Sequence, residues 1–252
     1  MGTIAKFYSG TSGLVLPVPN KQAFPLAFRE RTRLEYYASL FNSIEINSSF
    51  YKVPMAATIT KWAQSVPENF RFTYKLWRGI THNRGLEFDP GDILRFMNVI
   101  NNAGDKKGSM LIQFPASIKA GSFMQLTKLL NTGREADPEK EWDIAIEFRD
   151  RSWYQDKTYQ LLSNLQMGLV LHDIPASATP MVDITTNFVY LRFHGPAGDY
   201  RGSYTDDILN EYATYIEQWL ADSKTVYAYF NNTIGHAVHN LATLNTFVNA
   251  MF

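Results

Sequence analysis

The chain has 252 residues, and its 24 Lys and Arg balance 24 Asp and Glu, so the formal charge is zero with neutral histidine. That balance leaves no electrostatic footprint for nucleic acid or an anionic membrane. A composition 45% hydrophobic and 14% aromatic belongs to a folded globular protein, and zero cysteines exclude disulfides, a thiol nucleophile, an iron–sulfur cluster and a thiolate zinc site.

The amino terminus lacks the basic start and apolar run of a secretory signal, and Lys6 stands where myristoylation wants Ser or Thr. No stretch reaches the roughly 18 apolar residues of a membrane span. The expectation is a cytoplasmic protein with no membrane partner.

Short runs rich in β-branched and aromatic residues predict eight strands: Phe7–Gly10, Ser43–Phe50, Arg71–Trp77, Ser109–Phe114, Asp143–Arg149, Gly168–His172, Phe188–His194 and Thr225–Asn231. Between most of them the apolar spacing is helical. Leu34, Tyr37, Ala38 and Phe41 follow a Thr32…Glu35 capping box, and Ile93, Phe96, Met97 and Ile100 follow Pro90. Further stripes are Ile208, Tyr212, Ile216 and Trp219, then Val238, Leu241, Leu244, Val248 and Met251. Pro175 and Pro180 leave no room for a full helix in Ile174–Asn187, so the connection from strand six to seven is expected to be irregular. Eightfold alternation within about 250 residues predicts a single-domain (β/α)8 TIM barrel over residues 1–252. The competing doubly wound sheet lacks any glycine-rich phosphate motif after a strand.

Strands covered on both faces normally read as unbroken apolar runs, but these do not. Glu45, Asn47 and Ser49 share one parity of strand two, and Thr73, Lys75 and Trp77 share one of strand three. Ala145, Glu147 and Arg149 do so in strand five, Tyr190, Arg192 and His194 in strand seven, and Tyr227, Tyr229 and Asn231 in strand eight. Polarity rises toward each carboxyl end, so these faces are expected to meet inside the barrel at its carboxyl-terminal mouth.

The blocks Gly10-Thr11-Ser12-Gly13, Ile44-Glu45-Ile46-Asn47-Ser48-Ser49-Phe50-Tyr51, Lys75 with Ile80-Thr81-His82, and Leu111-Ile112-Gln113-Phe114-Pro115 follow one another in order. So do Glu147-Phe148-Arg149 with Ser152-Trp153, Val189 through Gly195, and Tyr229-Phe230-Asn231-Asn232. Together they resemble the YecE-like proteins, the domain of unknown function 72 family, over nearly the whole chain. The resemblance implies a TIM barrel loosely akin to the sugar isomerase and apurinic endonuclease barrels, and it transfers no catalytic residues. Leu14-Val15-Leu16-Pro17 and Asp150 depart from the family pattern.

Proton transfer beside a carbonyl or hydroxyl needs a base, an acid and groups that steady developing charge. Glu147 is the candidate base and Lys75 or His194 the acid, with Glu45 and Asp173 as further catalytic carboxylates. Arg149, Arg192, Gln113, Asn231, Asn47, Tyr229, Trp77 and His82 are candidate substrate contacts. The competing reading of Glu147 is a salt bridge to Arg149 or Arg192, of equal weight. Glycoside hydrolysis ranks low, because Glu45 and Glu147 lie three strands apart and their tips are expected to be too distant. No cofactor is firmly implied. A divalent metal stays open, with His82, His172, His194, Glu45, Glu147 and Asp173 as available ligands, although His172 alternates with Leu169 and Leu171 and is expected to face outward.

Gly195-Pro196-Ala197-Gly198 and Thr233-Ile234-Gly235 occupy the loops where barrels bind phosphate; the alternative is that these glycines only permit turns. Tyr51, Trp77, Trp153, Tyr154, Tyr200, Tyr204 and Tyr229 supply rings for stacking on sugars or bases. The sequence therefore points to an enzyme acting by general acid–base chemistry on a small polar substrate, a sugar or a phosphate-bearing sugar, of isomerase- or hydrolase-like type. The alternative is a non-catalytic ligand-binding or nucleic-acid-associated protein, with nucleic acid disfavoured by charge.

Overall fold

Each of the eight runs forms a strand in the computed structural model, which describes residues 6–252. The strands are β1 Phe7–Thr11, β2 Ser43–Ile46, β3 Arg71–Lys75, β4 Lys107–Phe114, β5 Asp143–Phe148, β6 Gly168–His172, β7 Phe188–Phe193 and β8 Thr225–Phe230. Helices separate them: α1 Arg33–Leu40, α2 Ser48–Tyr51, α3 Ala56–Gln64, α4 Arg78–Thr81, α5 Pro90–Ile100, α6 Phe123–Glu135, α7 Asp156–Asn164, α8 Asp206–Ala221 and α9 Ala237–Asn249. The reading of the amino terminus falls mainly on residues 1–5, outside the described residues. Among those described, no helix is long and apolar enough to cross a membrane.

Strand pairing is parallel throughout, in the order β1-β8-β7-β6-β5-β4-β3-β2, which is a nearly closed TIM barrel. The Thr32–Glu35 capping box starts α1, and Asp89 with Pro90 starts α5, both as the sequence signals. Residues 173–187 between β6 and β7 hold no helix, in keeping with Pro175 and Pro180.

The seam between β1 and β2 closes differently from the rest. It has one parallel bridge, Ser12 to Glu45, and one hydrogen bond from the Gly13 N–H to the Glu45 carbonyl at 2.8 Å. Side chains satisfy the remaining edge groups. The Tyr37 hydroxyl accepts from the Thr11 N–H at 2.7 Å and donates to the Ser43 carbonyl at 3.1 Å, while Asn42 accepts from the Ser9 N–H at 2.9 Å and donates to the Phe7 carbonyl at 2.8 Å. Unmet backbone groups are costly when buried, so these four bonds stand in for a ladder. Gly10 is required there, since a Cβ would lie 2.1 Å from the Ser43 carbonyl oxygen.

Two strands end more than one residue earlier than expected. β2 stops at Ile46, and residues 48–51 wind into α2, because the Ser49 hydroxyl turns back to the carbonyls of Ile46 and Lys75, each at 2.7 Å. Asn47 and Ser49 therefore leave the strand. β3 stops at Lys75, and Trp77 opens the turn α4. The apolar face of α8 is also rotated: Leu209, Ala213 and Ile216 are buried and Ile208 is 37% exposed, because the Thr205 cap holds Ile208 in the first turn.

The outward parity of the strands packs with the helix stripes into the main apolar layer. The interior is filled by Tyr8, Leu111, Ala145, Val170, Phe188, Tyr190, Tyr227 and Tyr229. Three of its tyrosines, Tyr190, Tyr227 and Tyr229, tie their hydroxyls across the barrel to strands they do not pair with. Tyr229 meets Ser43 Oγ at 2.6 Å and Thr73 Oγ1 at 2.7 Å, and Tyr227 donates to Asp143 Oδ2 at 2.8 Å.

At this amino-terminal end, burial pushes the Asp143 carboxyl up to about 6, and the Tyr227 hydroxyl and Arg134 only partly oppose it. A folded pKa above the unfolded one means that the stabilising protonation is complete below the unfolded value and is lost as pH rises through about 6. Asp143→Asn is therefore expected to gain about 1–3 kcal/mol at pH 7.5 and nothing at pH 3.5, measured by urea denaturation at both pH values. Equal shifts at the two would contradict the assignment.

Candidate functional site

The carboxyl-terminal end of the barrel is organised by Arg192, 2% exposed near the end of β7. A guanidinium has five N–H donors, and all five are used. Nε donates to Glu45 Oε2 at 3.0 Å, and Nη2 to Glu45 Oε1 at 2.7 Å and Ser12 Oγ at 3.2 Å. Nη1 donates to Glu147 Oε2 at 2.8 Å and His194 Nε2 at 3.3 Å. Glu45 also accepts from Tyr190 at 2.6 Å and from the Ser12 hydroxyl, and Glu147 from Arg149 Nε. β2, β5 and β7 are thus clamped through one side chain.

Burial alone would raise both carboxyl groups, but charge and hydrogen bonding reverse it. Arg192, with Ser12 and Tyr190, holds Glu45 below its ordinary range, and Arg149 and Arg192 hold Glu147 well below. Arg192 is itself pushed upward, because the two carboxylates outweigh its desolvation. The expectation that the two glutamate tips stand far apart gives way: a single guanidinium joins them. Both stay ionised, so neither offers the protonated acid that glycoside hydrolysis needs.

His194 lies between charges of both signs. Nδ1 is 3.2 Å from Asp173 Oδ1, and Asp173 also accepts from the His194 N–H at 2.8 Å and from the Tyr204 hydroxyl. The carboxylate fixes the proton on Nδ1, leaving the Nε2 lone pair to face Arg149 Nη2 at 3.0 Å and Arg192. Burial lowers its pKa to about 4. In this arrangement the ring is neutral and its Nε2, which accepts from both arginines, holds no proton to give to the cavity.

Above the network lies a cavity of about 170 Å³, bounded by Asn47, Lys75, Gln113, Arg149 and Asn231 with Phe50, Tyr51, Arg192 and Tyr200. Here the polar groups are unspent. The Asn47 Oδ1 is buried with no partner. Among the described residues, Lys75 Nζ and the side-chain amides of Gln113 and Asn231 make no hydrogen bond, although each residue is 8% exposed. Lys75 Nζ stands 4.1 Å from the centre of the Phe50 ring. Burial, then the charge of Arg192, brings its pKa down to about 7, and Glu147 and Glu45 offset only part of that. Arg149 spends three donors on Glu147, His194 and the Tyr200 hydroxyl, which leaves two N–H groups for the cavity.

Other expected contacts lie elsewhere. Tyr229 is fully buried in the interior layer below the cavity, bonded to Ser43 and Thr73. Trp77 lies against Gly79, which has no side chain to obstruct the ring. His82 packs edge-on against Phe50 at 4.9 Å with Nδ1 2.8 Å from Thr81 Oγ1, and burial followed by the charge of Lys75 lowers it to about 4. His172 faces inward, opposite to expectation, because Leu169 and Leu171 take the outward parity. Its Nε2 is 3.0 Å from the Phe148 carbonyl.

Among the described residues, no three His, Asp or Glu side chains converge as metal ligands, so the donor set does not fit a divalent metal. The phosphate-loop expectation meets a similar obstacle. The N–H groups of Gly195, Gly198, Tyr200, Ile234 and Gly235 already donate inside the protein. Gly195 and Gly198 serve positive φ of 95° and 70°, and Gly235 serves close approach to Gly202.

Three contributors were not among the candidates. Tyr190 shares the parity of Arg192 and was legible from it, Ser12 sits in the first glycine-bounded block, and Tyr200 was singled out only as an aromatic ring. Tyr200 holds a φ of 68°, unusual for a tyrosine, with its ring 5.7 Å from that of His194.

A ring of eight parallel strands, charge-clamped at the mouth beneath an open polar cavity, defines a TIM-barrel protein with its candidate site where barrels keep theirs. The chain belongs to the family described as Protein of unknown function DUF72, whose model matches residues 8–251. It is 26% identical over 248 residues to the UPF0759 protein YunF of Bacillus subtilis, covering 84% of each chain. It is 28% identical over 86 residues to the UPF0759 protein YecE of Escherichia coli, covering 34% of this chain and 32% of that one. In fold it is similar to a DUF72 family protein of Enterococcus faecalis, with TM-score 0.76, 22% identity and coverage of 96% and 95%. An AP endonuclease of family 2 from Brucella melitensis is more remote, with TM-score 0.57, 10% identity and coverage of 93% and 97%.

Removing Arg192 strands two buried carboxylates. Arg192→Ala is expected to cost about 3–5 kcal/mol by chemical denaturation; a loss below about 1 kcal/mol would show that the clamp is not structural. For His194, the unfolded ring takes a proton near 6.5 and the folded ring only near 4. Its contribution is therefore present above about 6.5 and lost as pH falls toward 4. His194→Gln should flatten the stability profile in that window, and an unchanged slope would contradict the neutral assignment.

Proposed function

We propose that the cavity is the active site of an enzyme acting on a small, polar, anionic metabolite of the sugar or sugar-phosphate kind, with Lys75 as the proton-transferring group. The observation that carries this reading is the contrast between the two layers of the mouth. In the lower layer every donor of Arg192 has an acceptor, whereas in the upper one the Lys75 amine and the Gln113 and Asn231 amides face the cavity without partners, and Asn47, whose Nδ2 donates to Ser12, leaves its Oδ1 unmet. Buried polar groups are normally satisfied, so a cluster of unsatisfied ones facing a cavity fits a ligand that completes them.

Lys75 suits the chemistry because an amine titrating near 7 accepts and returns protons with little bias at neutral pH. The remaining N–H groups of Arg149 are placed to hold an anionic oxygen, and Gln113, Asn47 and Asn231 to bind hydroxyl groups. Glu147 is spent on two guanidinium groups and acts as their counter-charge.

Calorimetric titration with triose, pentose and hexose phosphates tests this directly. One of them should bind, and Gln113→Leu and Lys75→Met should each weaken it about tenfold or more. Lys75→Met removes an unpaired buried cation, so thermal stability should hold or rise. Turnover by the wild type should fall about 10²–10⁴-fold in Lys75→Met. Binding without turnover would favour a ligand-binding protein; failure of the whole panel to bind, or undiminished binding by Lys75→Met, would overturn the proposal.

A further inference from the structure

The mouth treats its one lysine differently from its arginines. Arg192 and Arg149 are matched by Glu45 and Glu147, yet Lys75 Nζ has no carboxylate, carbonyl or hydroxyl partner among the described residues. It rests over the face of Phe50 at 4.1 Å, at the wall of a 170 Å³ cavity. An ammonium ion needs three acceptors for its donors, and a neutral amine has a lone pair to offer. With two guanidinium groups near by and no acceptor in hydrogen-bond contact with the nitrogen, the site favours the second species.

Building on the reading above, we propose that Lys75 is a carbonyl-capturing nucleophile whose amine condenses with the aldehyde or keto group of the substrate to form a Schiff base. The nitrogen lone pair adds to the carbonyl carbon, and the carbonyl oxygen takes one amine hydrogen to become the carbinolamine hydroxyl. That hydroxyl leaves with the second amine hydrogen as water, and C=N replaces C=O with nothing oxidised or reduced. The imine withdraws electrons from the neighbouring carbon, where a hydroxyl of the substrate would meet Gln113 or Asn231. Arg149 suits an anionic group at the far end. The substrate class this defines is a short hydroxy-aldehyde or hydroxy-ketone carrying a phosphate or carboxylate.

The test is reductive trapping of the full chain with glycolaldehyde, glyoxylate and dihydroxyacetone phosphate as probes and sodium cyanoborohydride as the reductant, read by peptide mapping. The expected result is one adduct per chain at Lys75, formed about a hundredfold faster at pH 7 than adducts at exposed lysines such as Lys52 and Lys61. The rate should rise with pH through about 7 and then level, and inorganic phosphate should slow it for the phosphate-bearing probe. Lys75→Arg, which keeps the charge and lacks the nucleophile, should lose the adduct and keep the fold by circular dichroism. Should that variant fail to fold, the adduct's position in the wild-type map still decides. Adducts spread over surface lysines with Lys75 unmodified would overturn the inference. If a sugar phosphate nevertheless binds by calorimetry, the acid–base reading survives that result; if none binds, both fail.

Discussion

The barrel mouth depends on one guanidinium. Arg192 sits where a cation with no counter-charge could not stay, and it is tolerated because two carboxylates, a hydroxyl and an imidazole take up its five donors. The dependence is mutual, since Glu45 and Glu147 are equally out of reach of water. Three strands that share no register contact are thereby fixed relative to one another. Glu45 also lies at the β1–β2 seam, where the ladder is reduced to a single bridge, so the clamp and the closure of the barrel meet at one residue.

A network that consumes its own charges is poor catalytic material and good scaffolding. Its glutamates are fixed as anions, and its histidine is neutral with both nitrogens engaged. What it supplies is a rigid, electrostatically biased floor. Above it, Lys75 feels the positive side of that bias together with desolvation, which is the physical origin of its depressed affinity for protons. The division between a satisfied lower layer and an unsatisfied upper one is what makes the cavity legible as a site.

The strand ends were where sequence and structure parted. Period-two alternation continued through Asn47 and Ser49 on paper, but a serine hydroxyl bonded to two carbonyls turned the chain into α2 instead. Alternation also placed Tyr229 with the site residues by parity. Parity tells which face a side chain takes and says nothing of its depth along the barrel, and Tyr229 sits one layer below Asn231. His172 takes the inner face, because its apolar neighbours Leu169 and Leu171 belong to the outer face of the barrel, the one that packs on helices.

The sequence by itself determined the eight strands, the alternation that makes a barrel, the missing helix around Pro175 and Pro180, and the collection of charged residues at strand ends. Those follow from local preferences and from burying apolar faces, which act along the chain. Only the tertiary structure decided which charges cancel. Whether Glu147 is a base or a counter-ion, and whether Lys75 is paired or free, depends on distances between strands far apart in sequence, and a difference of a few ångströms inside a medium of low polarity reverses the answer.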